Sequence, residues 1–405
     1  MTEHVIGADV IIVGGGAVGT TFAAMTASAG LSPVLIDREA PKTLAAEPFD
    51  GRAFAFSYGT KRILETMGVW SALDNDAEPI LAIRVSEERS PFFLHYVHDD
   101  LGPDPLGWLV ESRHLRRALH DAVARSGVRF LAPASVEQDT RDAYSGIVTL
   151  ADGRRLRAPL IVAADGANSP LRTRAGIAVT KWDYGQIAIV TTVVHERPHR
   201  GIAHEHFRAP GPFAILPLRG NRSSLVWVEQ PETARALLAL ERPDFDRELR
   251  TRFGDFLGTV ESSGPIWSYP LRLRLARRYV APRLALLGDS AHTLHPLAGQ
   301  NLNLAFRDAA TLLDVLVDAR RRGEDLGARD VLERYERQRR GANLAMFAAT
   351  DGLNRLFSND RLWLRGLRGL GLAAVDRLPG VKRAFMGYAR GSGGNLPSLA
   401  RGESP

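Results

Sequence analysis

The fold is decided by the stretch from Gly288 to Asp308: Gly-Asp-Ser-Ala-His-Thr-Leu-His-Pro-Leu-Ala-Gly-Gln-Asn-Leu-Asn-Leu-Ala-Phe-Arg-Asp. A short apolar run, Leu284 to Leu287, stops just before it and reads as a buried strand. Gly288 permits a close turn, and Asp289 sets a carboxylate at the strand's exit. Pro296 through Asn301 read as a Pro/Gly/Asn loop, and Asn303 to Asp318 carry Leu304, Leu312, Leu313 and Leu316 at helical spacing. The loop therefore feeds a helix N-terminus, where unpaired backbone N–H groups and the helix dipole favour negative charge.

Two earlier stretches share this strand-then-acid pattern. Asp9-Val-Ile-Ile-Val13 is a buried-strand run, followed at once by Gly14-Gly-Gly-Ala-Val-Gly19 and the helical stretch Thr20 to Ala29. Gly30 ends that helix, and Pro33-Val-Leu-Ile-Asp37 gives a second strand. This is the dinucleotide fingerprint in its required strand–turn–helix–strand setting. Gly14 makes the tight turn, Gly16 lets the backbone approach a pyrophosphate, and Gly19 lets helix pack on strand, while Asp37 is placed for the adenosine ribose. Further on, Leu160-Ile-Val-Ala-Ala164 runs into Asp165-Gly166, again a carboxylate at the carboxyl end of a sheet. Alone, Asp-Gly is a common turn; its weight comes from occurring with the other two.

The chain of 405 residues, 45% of them apolar, is long enough for a large core and two domains. It has no cysteine, which excludes disulfides, thiolate metal sites and a cysteine nucleophile, and fits a reducing cytoplasm. No apolar run is long enough to span a bilayer, and the N-terminus lacks the order of a signal peptide. The net charge of +6 rests on arginine, with lysine only at Lys42, Lys61, Lys181 and Lys382. That excess suits an anionic cofactor or membrane surface, and no nucleic-acid motif accompanies it.

Between these landmarks, Phe49 to Ser57 includes Arg52, a candidate for cofactor phosphates against the bland alternative of a surface arginine. A helix is expected from Tyr58 to Met67, strands at Ile80 to Glu87 and Phe92 to His98, and a helix from His114 to Arg125 with Ser112 as its N-cap. Arg113 is a second candidate, or else a first-turn surface residue. Val128 to Leu131 reads as a strand, and Ile147 to Leu150 with Arg155 to Arg157 as a hairpin around Asp152-Gly153. From Trp182 to Trp267 strand-like runs appear at Ile187 to Val194, Phe213 to Pro217 and Ser223 to Val228. They point to an inserted antiparallel sheet whose Phe213, Ile215, Pro217 and Trp227 are core or substrate wall. Val331 to Arg340 is a charged helix. The tail from Phe347 to Arg390 interleaves Leu and Trp with Arg, a composition that suits either an anionic membrane surface or packing on the domain. His292 and His295 lack a third metal ligand and read as packing or hydrogen-bonding residues. There is no Ser-centred nucleophile elbow.

Gly14 to Gly19, Asp165-Gly166 and Gly288-Asp289 with Pro296-Leu-Ala-Gly-Gln300, taken together, resemble the FAD-dependent group A aromatic monooxygenases of the p-hydroxybenzoate hydroxylase fold. Asp50 to Ala53, Val110 to Arg113, Phe213 to Leu218, Ser223 to Trp227 and Thr350 to Phe357 resemble the ubiquinone-biosynthesis hydroxylases in particular. The resemblance implies an α/β architecture: a Rossmann-like FAD-binding domain (1–78, 105–178, 281–345), an inserted mainly antiparallel β substrate domain (79–104, 179–280) and a C-terminal helical region (346–405). It implies hydroxylation of the ring of a polyprenylated phenol through a C4a-hydroperoxyflavin, using FAD, O2 and either NAD(P)H or a reductase as electron donor. Gly14, Gly16, Ala17, Val18, Gly19, Asp37 and Arg38 would surround the AMP part. Arg52 and Arg113 would lie along the phosphates and ribitol, with Asp165, Gly166, Gly288 and Asp289 near the pyrophosphate and ribitol. Pro296, Gly299, Gln300, Asn301 and Leu302 would sit at the flavin ring. Asn301 stands where the family has glycine, and it is expected to supply the positive φ that glycine would. Ala305 likewise replaces a frequent glycine, and Asp37 a frequent Glu. A small soluble aromatic substrate, or a flavin-binding non-catalytic member of a ubiquinone-biosynthesis complex, are the competing readings. A plain NAD dehydrogenase would account for Gly14 to Gly19 but not for the other two sites. The location implied is the cytoplasm, with peripheral contact at the inner face of the membrane through the tail.

Overall fold

The computed structural model describes residues 5–41, 51–87, 93–294, 299–357, 387, 390–391 and 393–404, with backbone only at 353–357. Its centre is a six-stranded sheet in the order Val280–Ala281, Leu284–Leu286, Leu160–Ala163, Val10–Val13, Pro33–Ile36, Arg129–Leu131. All neighbours are parallel except the first pair. Strands buried on both faces need apolar residues at every position. Val10, Ile11, Ile12, Leu160, Ile161 and Val162 are accordingly fully buried. Each such side chain contributes roughly 1.5–3 kcal/mol. The helix Ala17–Ser28 packs on both Ser112–Arg125 and Gln300–Arg321. Because the central strands run parallel, the exits of Val13, Ile36, Ala163 and Leu286 share one edge.

The second large sheet has eight strands, in the order His292–Thr293, Val260–Ala276, Val179–His195, Arg222–Glu229, Gly211–Leu218, Ile202–Arg208, Ala82–Glu87, Phe93–Val97. Its single parallel step joins Ile202–Arg208 to Ala82–Glu87. The helices Pro231–Leu238 and Arg242–Phe253 cover one face, where Phe213, Ile215, Leu225 and Trp227 are buried with Phe245 and Leu249. Phe213, Ile215 and Trp227 are therefore core and not substrate wall; Pro217 is buried as well. Two smaller sheets complete the molecule: Val5–Gly7, Arg155–Ala158, Gly146–Leu150, Val136–Arg141, and Ala53–Ser57, Gly107–Glu111, Glu78–Ile80.

Several boundaries differ from the sequence-based expectations. The helix expected from His114 starts at Ser112, and Glu111, not Ser112, occupies its N-cap position. The helix expected from Asn303 to Asp318 runs Gln300–Arg321, because Gly299 in a left-handed conformation (φ 59°) already turns the chain into it. The loop thus ends two residues early, and Gln300 and Asn301 belong to the first helical turn. The charged helix expected at Val331 to Arg340 extends over Arg329–Phe357. His295, Pro296 and most of the basic apolar tail lie outside the described residues.

Candidate functional site

The first wall of the site is the fingerprint turn. Gly14 has φ 111°, and a Cβ there would stand 2.2 Å from Ala164 O; a Cβ on Gly19 would stand 1.8 Å from Gly14 O. Both are glycine because backbone passes where a side chain would be. Gly16 differs: an added Cβ meets nothing within 4 Å, so this N-cap residue faces open space. Ala17 and Val18 open the helix, whose first turn holds no acidic residue and no side-chain cap. Its N–H groups are therefore left for an external anion. Asp37 accepts the Gly15 N–H at 2.5 Å and the Glu39 N–H at 2.7 Å. Arg38 beside it is exposed. Thr20, which the sequence reading did not single out, is buried and lies 2.8 Å from both Gly15 O and Gly16 O.

The second wall is Asp165-Gly166. Asp165 Oδ2 accepts the Leu171 N–H at 3.2 Å, whereas Oδ1 is buried without a partner among the described residues. Burial pushes this carboxyl above its ordinary range, against the pull of Ser169, backbone N–H groups and Arg172. A buried acceptor left open at a cleft wall awaits a donor. Gly166 has φ 83°. Arg172, also missed from sequence, donates to Ser290 O at 2.7 Å and Ala167 O at 2.9 Å, tying the second wall to the third.

The third wall is Gly288-Asp289-Ser290, a short 3₁₀ turn. A Cβ on Gly288 would lie 3.0 Å from a Val18 methyl, so this turn stands against the fingerprint helix. Ser290 Oγ donates to Ala163 O at 2.6 Å and accepts the Leu287 N–H at 3.1 Å. Asp289 is open to solvent yet surrounded by protein, as a residue on the floor of a cleft is. That surrounding pushes its carboxyl up, with His292 and Arg274 opposing.

Asn301 has a different part from the one expected. It is helical and not at positive φ: among the described residues the non-glycine ones with positive φ are Arg200 and Arg283. Its Oδ1 accepts the Leu294 N–H at 3.0 Å, and its Nδ2 reaches Asp289 Oδ1 at 3.4 Å. The glycine-like conformation falls instead to Gly299, where a Cβ would lie 3.3 Å from Ala55 Cβ. Next to Leu302, Asn303 is buried. It accepts from Ser57 N at 3.0 Å and Thr60 Oγ1 at 2.7 Å, and donates to Ala55 O at 2.9 Å. It fastens this helix to the strand Ala53–Ser57. Pro296 lies outside the described residues.

Arg52 sits beside Gly51, whose added Cβ would lie 3.8 Å from Trp267 Cδ1, at the junction of the two large sheets' domains. Its carbonyl accepts the Ser112 N–H at 2.9 Å. The Arg113 guanidinium donates to the buried Glu111 at 2.7 Å, and Arg222 takes the other Glu111 oxygen. Behind the third wall, His292 Nε2 lies 2.5 Å from Asp308 Oδ2, and Arg339 and Asn343 complete a fully buried cluster. Burial alone would raise the Asp308 carboxyl; Arg339 and His292 outweigh it and hold the carboxyl below its ordinary range.

Three comparisons agree with this geometry. A family model described as an FAD binding domain matches residues 7–350. Ubiquinone hydroxylase UbiL of Rhodospirillum rubrum is 49% identical over 399 residues, 98% of this chain and 93% of that one. The 3-demethoxyubiquinol 3-hydroxylase of Escherichia coli is 36% identical over 388 residues, 95% of this chain and 98% of that one. Among solved structures, p-nitrophenol 4-monooxygenase PnpA from Pseudomonas putida DLL-E4 superposes with a TM-score of 0.79 over 96% of this chain and 100% of that one, at 20% identity, a likeness in fold. The fold and the three-walled cleft are those of an FAD-dependent monooxygenase, and the free helix N-terminus at Gly16 and the open acceptor on Asp165 fit that cofactor. Within this class the chain belongs to the ubiquinone-biosynthesis hydroxylase family.

Proposed function

We propose that this protein hydroxylates the aromatic ring of a polyprenylated phenol in ubiquinone biosynthesis. The observation that carries the reading is the 49% identity to a ubiquinone hydroxylase along nearly the whole of both chains. It is joined to a cleft whose donors and acceptors suit FAD. When bound, FAD supplies the activation of dioxygen, with NAD(P)H or a separate reductase as electron source.

The chain's own residues divide the remaining work. The N–H groups of the first turn of Ala17–Ser28 hold the pyrophosphate, with Gly14 and Gly19 keeping the turn tight. Asp37 and Arg38 serve the adenosine ribose. Asp165 Oδ1 and Asp289 accept cofactor hydroxyls, with Arg52 and Arg113 along the phosphates and ribitol. The helix Gln300–Arg321 has no acidic residue and no side-chain cap in its first turn, so its N–H groups favour negative charge at the flavin-ring edge. The eight-stranded sheet closes the cleft against water.

Among the described residues, no helix is long and apolar enough to cross a membrane. The tail's mixture of Arg, Leu and Trp supports peripheral contact with an anionic membrane surface, where a polyprenylated substrate resides, and membership of a biosynthetic complex would act there too. The test is a mass-spectrometric profile of quinones in cells lacking the gene. Accumulation of a prenylated phenol one oxygen short supports the reading. An unchanged profile, with purified holoprotein inert on prenylated phenols, sinks it.

A further inference from the structure

The strand Ile202–Arg208 sends alternate residues to opposite faces of the eight-stranded sheet. His204 and His206 pair in register with Ile215 and Phe213, which lie in the core beneath the covering helices. Glu205 therefore projects from the other face. Register places it in one continuous row across seven strands: Leu94, Val85, Glu205, Ala214, Val226, Val190, Trp267. Glu205 is the one ionisable member of that row.

This face looks toward the FAD-binding unit. Gly51 approaches Trp267, and Tyr184, packed beside Val190 and Val226, donates to Asp351 of the last long helix at 3.0 Å. Trp267 and Tyr269 remain 42% and 37% exposed there, so the face is not closed by packing. Among the described residues Glu205 makes no hydrogen bond or ion pair, although it is half-buried. A carboxyl in an apolar wall, reachable from the cleft and unpartnered, lacks a donor.

We propose that Glu205 accepts the phenolic proton of the substrate while the apolar row around it seats the ring. This rests on the monooxygenase reading above. The phenol O–H bond breaks toward the carboxylate, and its electron pair stays on oxygen, enriching the ring carbons ortho and para to it. One of these carbons forms the new bond to an oxygen atom derived from O2, delivered as hydroxyl. The second oxygen atom leaves as water, with two electrons from the nicotinamide or reductase and three protons from solvent, one for the hydroxyl and two for the water. The ring carbon then loses its proton, and Glu205 returns its own to the original oxygen, giving the diol. Burial raises the Glu205 carboxyl to about 7, with no neighbouring charge contributing. That narrows the gap to a phenol, near 10, and makes the carboxylate a better base than an exposed one. The other titratable groups on this face are Glu87, Tyr96, Tyr184, Arg222 with its partner Glu111, Glu261 and Tyr269, and on the facing unit Arg52, Asp289 and Asp351.

The experiment compares FAD-loaded wild type, Glu205→Gln and Glu205→Asp with 2-geranylphenol as the probe. Single-turnover hydroxylation is followed from pH 5.5 to 9, and probe binding is read from the absorbance change of the bound flavin. The wild-type rate is expected to rise through about pH 7 and then level. In E205Q the rate falls by about a hundredfold or more, the inflexion disappears, and probe binding changes only a few-fold. E205D regains part of the rate and keeps an inflexion. An E205Q enzyme with wild-type rate and inflexion overturns the proposal. So does a loss confined to probe binding, or an E205D enzyme without an inflexion. If all three proteins hold FAD and bind the probe but none hydroxylates it, the prenylated-phenol reading itself fails, and the role of Glu205 falls with it.

Discussion

The carboxylate of Asp37 accepts the backbone N–H of Gly15 at 2.5 Å across 22 residues of sequence, so the acid at the end of one strand holds the glycine turn at the end of its neighbour. Replacing Asp37 by Ala removes a charge-assisted bond worth about 1.5–3 kcal/mol. FAD affinity should then fall by roughly ten- to a hundredfold. Titration of apoprotein with FAD by fluorescence quenching measures this, and an unchanged Kd contradicts it.

The three fingerprint glycines should separate under the same substitution. Gly19→Ala drives a methyl into Gly14 O, and Gly14→Ala into Ala164 O, so both should lower the melting temperature even without FAD. Gly16→Ala meets open space in the protein. Its apoprotein should melt as wild type does, while FAD binding is lost. Parallel melting curves with and without FAD read out both halves.

Asn301→Gly should reduce FAD affinity, not improve the enzyme. The residue is helical and holds Leu294 N and Asp289, so glycine loses those contacts and loosens the first turn by about 1 kcal/mol. Higher activity in the variant would show that Asn301 is an impairment.

Asp308→Ala leaves Arg339 buried without its counter-charge and His292 without its hydrogen-bond partner, a change that typically costs about 3–5 kcal/mol. Urea denaturation measures it. Asp308 has a depressed pKa in the folded state, so its stabilisation is present above the unfolded value of 3.8 and is lost as pH falls through the lower folded value. The gap between wild type and variant should therefore shrink only under strongly acidic conditions.

Glu205 has the opposite sign. Its folded pKa of about 7 exceeds the ordinary glutamate value of 4.5, so ionisation destabilises the fold as pH rises across that window. The melting temperature of Glu205→Gln should match wild type near pH 4.5 and exceed it increasingly up to about pH 7. A constant difference would show that burial does not perturb this carboxyl.

What could be read from sequence divides along physical lines. Val10–Val13, Leu160–Ala163 and Leu284–Leu286 were legible because strands buried on both faces are apolar throughout, and each ends in a glycine or acid. Ile202–Arg208 was not, since one of its faces carries His204 and His206 and the other Glu205. Val260–Ala276 was hidden by Gly264 and Pro265, which look like a turn but are absorbed by a register shift against Val190 and Thr192. The site followed the same rule. Glycines and acids at strand ends announce themselves locally, while Arg172 and Asn303 act on partners 118 and 246 residues away, which no local pattern contains.

The parallel pairing of Val10–Val13 with Leu160–Ala163, and of that strand with Leu284–Leu286, has a consequence for how the protein is made. The fingerprint is synthesised first and its neighbour Pro33–Ile36 follows soon after, but its other sheet neighbour comes about 150 residues later, and the turn packed against Val18 comes near residue 288. During translation the N-terminal glycine turn therefore emerges long before its supporting walls exist. Closing contacts of such sequence separation is slow. Cofactor capture is thus a late event in biosynthesis, and a ribosome stalled before the third wall should display a nascent chain that cannot retain FAD.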